Sequence, residues 1–238
     1  MENLKTDYYK DLDTNFEHAF DLISKDYSHH ELIEMLKAGN IVQKQYAALT
    51  LETLNTEEES KILINNLTGC DGKIREAVAL KINNLLHTNQ SYINYFSQAE
   101  IFADATIDIN GNICRLVIDS VSILKSDEKF SNIYLTKICE FIETTFDEID
   151  KFIFRDKKYV INKQIFKLYW CLESLKLFVN KIDEATLVKI LTKASEIKEY
   201  TIREKVAQIL INTNSPNFTN LKNILKNDEN YYVRMVLK

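Results

Sequence analysis

Two stretches of this chain repeat one pattern closely enough to decide the fold class. Residues 74–79 read Ile-Arg-Glu-Ala-Val-Ala, and residues 202–207 read Ile-Arg-Glu-Lys-Val-Ala. In both stretches the first Ile is an anchor, and apolar or small residues follow it four, five and eight positions later. At about 100° per residue, these offsets gather on one face of an α-helix. The two stretches therefore predict two equivalent amphipathic helices.

Weaker copies of the pattern begin at Gln43, Ile113, Ile161 and Val233. The six anchors are then 31, 39, 48, 41 and 31 residues apart, and a helical unit that recurs at such intervals is typical of an α-solenoid. We predict that each anchor opens the second helix, B, of a pair, and that the preceding apolar stretch forms the first helix, A. The predicted A helices span residues 31–37, 57–67, 92–109, 129–154, 184–195 and 217–226.

The composition supports a helical chain throughout. The 238 residues include only four Gly and one Pro, which is too few for the many tight turns of a β-rich fold. We expect an N-terminal capping helix within residues 1–28 and a single continuous repeat array over residues 29–238. The last B helix has about two turns before Lys238, so either the native chain continues or this end packs against something. No stretch approaches the ~20 apolar residues of a membrane span, and the N-terminus is acidic and polar, which predicts a soluble, cytoplasmic protein.

The chain resembles the HEAT-repeat family over residues 29–238. The resemblance depends on Asp-Gly-Lys-Ile-Arg at 71–75 with Val-Ala at 78–79, on the stretch at 202–207, and on Asp228 with Val-Arg at 233–234. It implies a right-handed α-solenoid of about six helical pairs. In that family the Arg after the anchor commonly meets an Asp of the turn between the two helices. The resemblance therefore implies two structural pairs, Asp71 with Arg75 and Asp228 with Arg234. Lys44 and Arg203 match only the basic position, and Cys114 and Asn162 depart from it.

No catalytic or metal-binding motif is recognised, and the sequence favours a non-enzymatic function without cofactor or metal. The order His29-His30-Glu31 is not that of a zinc motif, and no further ligand recurs at suitable spacing. The acidic run at 57–59 follows Thr56, a good N-cap, and is explained by the helix dipole. The cysteines lie without C-x-x-C spacing, mostly in apolar helical stretches, so we expect reduced structural thiols.

The candidate binding surface is the edge of the B helices opposite their apolar stripe. In HEAT-like solenoids this edge forms the concave wall that faces the partner. Offsets of two, six and nine residues from the anchors place there Leu49, Glu52, Glu76, Leu80, Arg115, Asp119, Lys163, Lys167, Trp170, Gln208 and Ile211. Apolar residues rimmed by charge indicate a binding site. The alternative is that the repeat phase is wrong by one position and that Leu49, Leu80, Trp170 and Ile211 are core residues.

The charge of the chain changes along its length, and this pattern bears on the partner. Residues 1–60 carry a net −8, residues 61–150 carry −5 and residues 151–238 carry +8. The first hypothesis is a non-catalytic scaffold for a protein or peptide. We expect the N-terminal repeats to prefer apolar anchors flanked by basic groups, and the C-terminal repeats to prefer the opposite sign. The alternative is a nucleic-acid-binding protein similar to HEAT-like alkylpurine DNA glycosylases, which would use the basic C-terminal third with Lys163, Lys167 and Trp170.

Overall fold

A computed structural model describes residues 19–69, 71–153 and 158–238, without the side chains of residues 152, 153 and 158–160. Residues 19–23 are helical, and the rest of the predicted capping helix lies outside the described residues. The chain divides into two compact units. The first unit comprises the described residues up to Ala105 together with Asn110–Leu124, and the second comprises Thr106–Ile109 and Lys125–Lys238.

The helices of the first unit follow one another in pairs. They are α1 (His29–Ala38), α2 (Ile41–Thr50), α3 (Glu57–Ile64), α4 (Gly72–Thr88), a 3₁₀ helix (Gln90–Tyr95), α5 (Ala99–Thr106, whose last residue belongs to the second unit) and α6 (Gly111–Leu124). The B helices α2, α4 and α6 pack against each other in that order, and α1 packs against both α2 and α3. Each of these B helices thus contacts the equivalent helix of a neighbouring pair.

The second unit repeats this order. Its helices are α7 (Glu128–Ile153), α8 (Lys158–Leu175), a 3₁₀ helix (Lys176–Phe178), α9 (Glu184–Ser195), α10 (Tyr200–Ile211), a 3₁₀ helix (Pro216–Phe218), α11 (Thr219–Lys226) and α12 (Tyr231–Val236). Here α7 packs on α8, α9 on α10 and α11 on α12, while α8, α10 and α12 pack in sequence. The prediction of an all-α protein built from consecutive helical pairs is therefore confirmed. None of the helices in the described ranges is long and apolar enough to span a membrane.

The sequence anchors mark the starts of the B helices. Five of the six anchors are the third residue of their helix, and Ile161 lies close to Lys158, where the described part of α8 begins. The polar anchor Gln43 has a local explanation. Its side-chain Oε1 accepts the backbone N–H of Asn40, and Asn40 Oδ1 accepts the backbone N–H of Gln43, both at 2.9 Å. This capping box fixes the start of α2 and explains why the first repeat tolerates a polar residue at the anchor.

One predicted A helix differs from the observed structure. Residues 92–109 were expected to form a single helix, but the 3₁₀ helix and α5 are separated at residues 96–98. Phe96 adopts a non-helical backbone conformation and is 1% exposed, with its ring centroid 6.4 Å from that of Phe102. Burial of this aromatic ring therefore accompanies the break. Helical periodicity alone gave no sign of it.

Small residues five positions after the anchor lie where helices approach closely. Ala48, Ala79 and Ala207 are each at most 2% exposed. We predict that Ala79→Leu lowers the free energy of unfolding by roughly 1–3 kcal/mol, because the extra atoms must be accommodated in a packed interior. Urea unfolding measures the change. The same substitution at the exposed Ala185 of α9 is the control and should change stability by less than about 0.5 kcal/mol. Equal effects at both positions would contradict the packing argument.

Candidate functional site

The predicted edge of the first unit exposes two apolar side chains. Leu49 of α2 is 48% exposed and Leu80 of α4 is 39% exposed, although the two helices pack against each other. Glu52 is exposed beside Lys81, where burial lowers the pKa of the Lys81 ammonium more than the Glu52 charge raises it. The surface here consists of leucines on adjacent B helices with ionisable groups next to them.

Glu76 and Arg115 lie in one hydrogen-bonded group that links α4 to the start of α6. The two Glu76 carboxylate oxygens accept from Asn110 Nδ2 at 3.2 Å and from Asn112 Nδ2 at 3.1 Å. Arg115 Nη1 donates to Asn112 Oδ1 at 3.1 Å. Two predicted site residues of opposite charge are thus connected through Asn112. Their hydrogen bonds position neighbouring repeats, which the sequence analysis did not foresee.

Asp119 is also used between neighbouring B helices. Its Oδ2 accepts from Asn83 Nδ2 at 2.8 Å and lies 2.7 Å from His87 Nε2. Burial raises the pKa of the Asp119 carboxyl, but the contacts with Asn83 and His87 outweigh burial and leave that pKa below its ordinary value. His87 was missed from sequence, whereas Asn83, nine residues after the anchor Ile74, falls on the predicted B-helix edge. The polar offset of Asn83 gave a signal, but its partner lies 36 residues away.

The predicted anchor Trp170 requires a correction, because it is only 6% exposed. Its ring packs edge-on against Tyr169 and Phe166, with centroids 5.1 and 6.0 Å away. The exposed side of α8 includes Asn162 and Phe166, each one residue before a predicted outward position. Asn162 is exposed and Phe166 is 37% exposed. In α8 the apolar side chain available at the surface is therefore Phe166.

The other predicted residues of the second unit divide between surface and packing. Lys163 is exposed, whereas Lys167 is half-buried with its Nζ 4.7 Å from the centroid of the Phe141 ring. Ile211 is 55% exposed at the end of α10. Exposure of Leu49, Leu80 and Ile211 agrees with the predicted phase for α2, α4 and α10.

Gln208 belongs to a charged cluster that joins α8 to α10. Its Oε1 accepts from Lys176 and Lys205, each at 3.2 Å. Both lysines also pair with Glu173, at 2.6 Å from Lys176 and 2.5 Å from Lys205. Burial lowers the pKa of the Lys205 ammonium, but the Glu173 carboxylate outweighs burial and leaves the pKa raised. This partly buried ion-pair cluster was not predicted, because sequence alone does not show that Lys205 points inward.

An arginine one residue after the anchor makes the same backbone contact in three repeats. Its Nη1 donates to the carbonyl oxygen six residues earlier, from Arg75 to Gly69 at 2.7 Å, from Arg203 to Ile197 at 3.0 Å and from Arg234 to Asp228 at 2.5 Å. Arg203 and Arg234 also reach the carbonyl five residues earlier. This recurring hydrogen bond therefore joins the start of a B helix to the turn before it.

The contacts of the predicted structural aspartates differ from the expected pairing. The Asp71 carboxylate accepts the backbone N–H groups of Lys73 and Ile74 and so caps α4. Asp228 pairs with Arg203 of the preceding B helix, at 2.7 Å from Nε and 3.1 Å from Nη2. Burial raises the pKa of the Asp228 carboxyl, but Arg203 outweighs burial and holds it below its ordinary value. The buried bidentate pair links successive repeats, while Arg234 contacts the carbonyl of Asp228.

The remaining titratable groups give no sign of a metal or nucleophile site in the part of the chain that the structure describes. No group of three His, Cys, Asp or Glu side chains among those residues could hold a metal ion. His29 Nε2 lies 3.0 Å from Glu59 Oε2. Cys114 and Cys171 are buried, and burial together with Glu143 and Asp183 raises the pKa of the Cys139 thiol to about 11. A thiol with such a pKa is poorly nucleophilic at neutral pH.

Comparison with known proteins leaves the family open. No known family matches the sequence, and no curated protein matches it. Among solved structures, the crystal structure of an engineered protein from the Northeast Structural Genomics Consortium is 10% identical over 89% of this chain and 94% of its own, with a TM-score of 0.45. This likeness is too weak to support a fold or a function.

The link between Arg203 and Asp228 predicts a large loss of stability when it is broken. The two side chains are 9% and 8% exposed, so Arg203→Ala leaves a buried carboxylate without its counter-charge. We expect the free energy of unfolding to fall by about 3–5 kcal/mol, measured by urea unfolding. Lys189→Ala is the matched control, because it breaks an exposed 3.0 Å pair with Glu143 and should cost less than about 1 kcal/mol. Similar losses in both variants would contradict a structural role for the buried pair.

Proposed function

We propose that the protein is a non-catalytic scaffold, a right-handed HEAT-like α-solenoid of about six helical pairs, that binds a protein or peptide along the edge of its B helices. The packing of consecutive B helices in each unit and the recurring arginine contact support this architecture. The observation that carries the binding proposal is the exposure of Leu49 and Leu80 on adjacent B helices. Exposed apolar side chains bordered by charge are typical of interaction sites.

The polar residues of this edge support an apolar contribution to binding. Glu76 and Asp119 already accept hydrogen bonds from asparagines of their own unit. A partner that engaged these carboxylates would compete with existing contacts. A partner that covers Leu49 and Leu80 breaks no existing hydrogen bond of these side chains. Removal of their apolar surface from water is favourable. We therefore assign the anchoring role to the leucines and a steering role to the surrounding charges.

The charge of each unit defines the preferred partner chemistry. The sequence residues that span the first unit, 1–105 and 110–124, include 10 Lys or Arg against 18 Asp or Glu, a net −8. Those of the second unit include 20 against 17, a net +3. A segment bound on the first unit should present apolar side chains next to lysine or arginine. A segment bound near Phe166 and Lys163 of the second unit should be neutral or acidic.

Nucleic acid is the second candidate partner, and the exposed Lys163 is the observation in its favour. Lys163 lies one helical turn from Lys167 on α8, beside the exposed Phe166, and basic residues next to aromatic rings suit nucleotides. The net −8 of the first unit opposes it, since phosphate contacts dominate the affinity for nucleic acid. Protein or peptide binding therefore remains our first proposal.

The leucine pair predicts a specific loss of partner binding. Once a partner has been identified by affinity capture from the native cell, Leu49→Ala and Leu80→Ala should each weaken its binding by about 1–2 kcal/mol in calorimetry. Both side chains are at the surface, so the thermal melt should be nearly unchanged. Ile224→Ala is the matched control, because this A-helix residue is 56% exposed and lies off the B-helix edge. Loss of binding in the control alone would place the partner on another surface.

The charge distribution also predicts weak binding to duplex DNA. A labelled duplex of random sequence, followed by fluorescence anisotropy at about 0.15 M salt, should show no affinity tighter than about 1 μM. If binding is tight, falls steeply with added salt and is lost in a Lys163→Glu/Lys167→Glu variant, the nucleic-acid alternative replaces the first proposal.

A further inference from the structure

We infer that a cavity in the second unit is a separate binding site, which holds one large apolar side chain of a basic peptide. The cavity has a volume of about 420 Å³ and lies between α7, the first turns of α8 and the turn after α9. Apart from Asn162, its lining residues lie outside the B-helix edge proposed above. A volume of this size is within the range that suits small ligands and anchoring side chains.

The floor of the cavity is apolar. Phe146 and Ile149 of α7 are 4% and 6% exposed, and Ile161, Ile165 and Ile197 surround them. An aromatic or aliphatic side chain placed here would cover five apolar residues. A single large side chain in such a pocket commonly supplies most of the affinity of a peptide.

One ion pair is already formed at the rim. Lys193 Nζ lies 2.9 Å from Asp150 Oδ2 and 5.0 Å from the centroid of the Phe146 ring. The lysine is therefore held across the aromatic floor, and its charge is balanced by Asp150. The charges that remain for a ligand at this cavity are those of Glu196, Lys198 and Glu199.

The local charge is acidic although the unit as a whole is basic. A polar cleft shares Glu196, Ile197 and Lys198 with the cavity and adds Arg203, Asp228 and Glu229. Together the cavity and the cleft contain three basic side chains (Lys193, Lys198 and Arg203) and five acidic ones (Asp150, Glu196, Glu199, Asp228 and Glu229), a net −2. The second unit has a net +3, so the acidic excess is a property of this place.

The direction of α9 strengthens the preference for a cation. The helix ends at Ser195, and the next residues, Glu196 and Ile197, line the cavity, so the C-terminal end of α9 is adjacent to it. A helix C-terminus has a partial negative charge and stabilises nearby cations. A lysine or arginine next to the anchoring side chain would therefore meet both the carboxylates and the end of α9. These features together define a peptide with a bulky apolar residue adjacent to basic residues.

The test is a selection of short random peptides displayed on phage against the full chain. The selected peptides are then labelled, and their affinity is measured by fluorescence anisotropy. The expected consensus is one aromatic or large aliphatic residue beside Lys or Arg. Ile161→Trp, which fills the cavity, and Glu196→Lys/Glu199→Lys, which reverses the rim charge, should each weaken binding about tenfold or more. Circular dichroism and a thermal melt show whether each variant is folded, and the charge variant tests the proposal even if Ile161→Trp unfolds.

Two controls separate this site from other surfaces. Glu100→Lys/Asp104→Lys makes the same charge change at exposed positions of α5, and it should leave binding within about twofold of the wild type. Leu49→Ala/Leu80→Ala should also leave it unchanged, because those leucines belong to the other proposed surface. The proposal is overturned if no peptide is selected, if the selected peptides are acidic, or if they bind Ile161→Trp as well as the wild type. A dimer in sedimentation that Ile161→Trp dissociates would assign the cavity to a second copy of the chain instead.

Discussion

The architecture depends on how the carbonyl groups in the turns between helices find hydrogen-bond donors. Each helix ends with backbone carbonyls that have no partner inside the helix. In three repeats an arginine from the first turn of the following B helix reaches the carbonyl six residues earlier. One side chain thereby donates a hydrogen bond to a carbonyl of the turn and fixes the start of the next helix. With four glycines and one proline in the whole chain, turns of this kind cannot depend on glycine conformations alone.

The contacts between successive repeats follow from the same basic position. Arg203 meets Asp228 of the following turn, and Lys44 Nζ donates to Asn66 Oδ1 at 2.9 Å in the equivalent relation near the start of the chain. Asn66 in turn donates to the carbonyl of Leu36 at the end of α1. The basic residue thus links one pair of helices to the next, with a charged acceptor in one case and a neutral one in the other. Polar side chains thus form the contacts between neighbouring repeats, while apolar side chains such as Leu49 and Leu80 are exposed at the surface.

Sequence periodicity predicted the helices well because the pattern is local. The offsets from each anchor depend only on the angle per residue, so the starts of α2, α4, α6, α10 and α12 were found from sequence. The same rule failed at α8, because the offsets carried over from the other repeats do not match the exposed side of this helix, which includes Asn162 and Phe166. Trp170 was consequently expected at the surface, whereas Phe166 occupies that position. Asn162 at the basic position and the 48-residue interval before this repeat were the signs in the sequence that it differs.

The partners of charged residues were less predictable, because sequence distance does not decide between nearby alternatives. Asp228 lies six residues before Arg234 and 25 residues after Arg203, and the sequence analysis expected it to pair with Arg234. Burial decides between them in the structure: Arg203 is 7% exposed and requires a counter-charge, whereas Arg234 is half-buried and can donate to carbonyl oxygens. The same reasoning applies to Lys205 and Glu173, which are 32 residues apart and meet only because α8 packs on α10. A charged side chain that is removed from water requires a counter-charge close to it. Which side chains are removed from water depends on how the repeats pack together and not on any single helix.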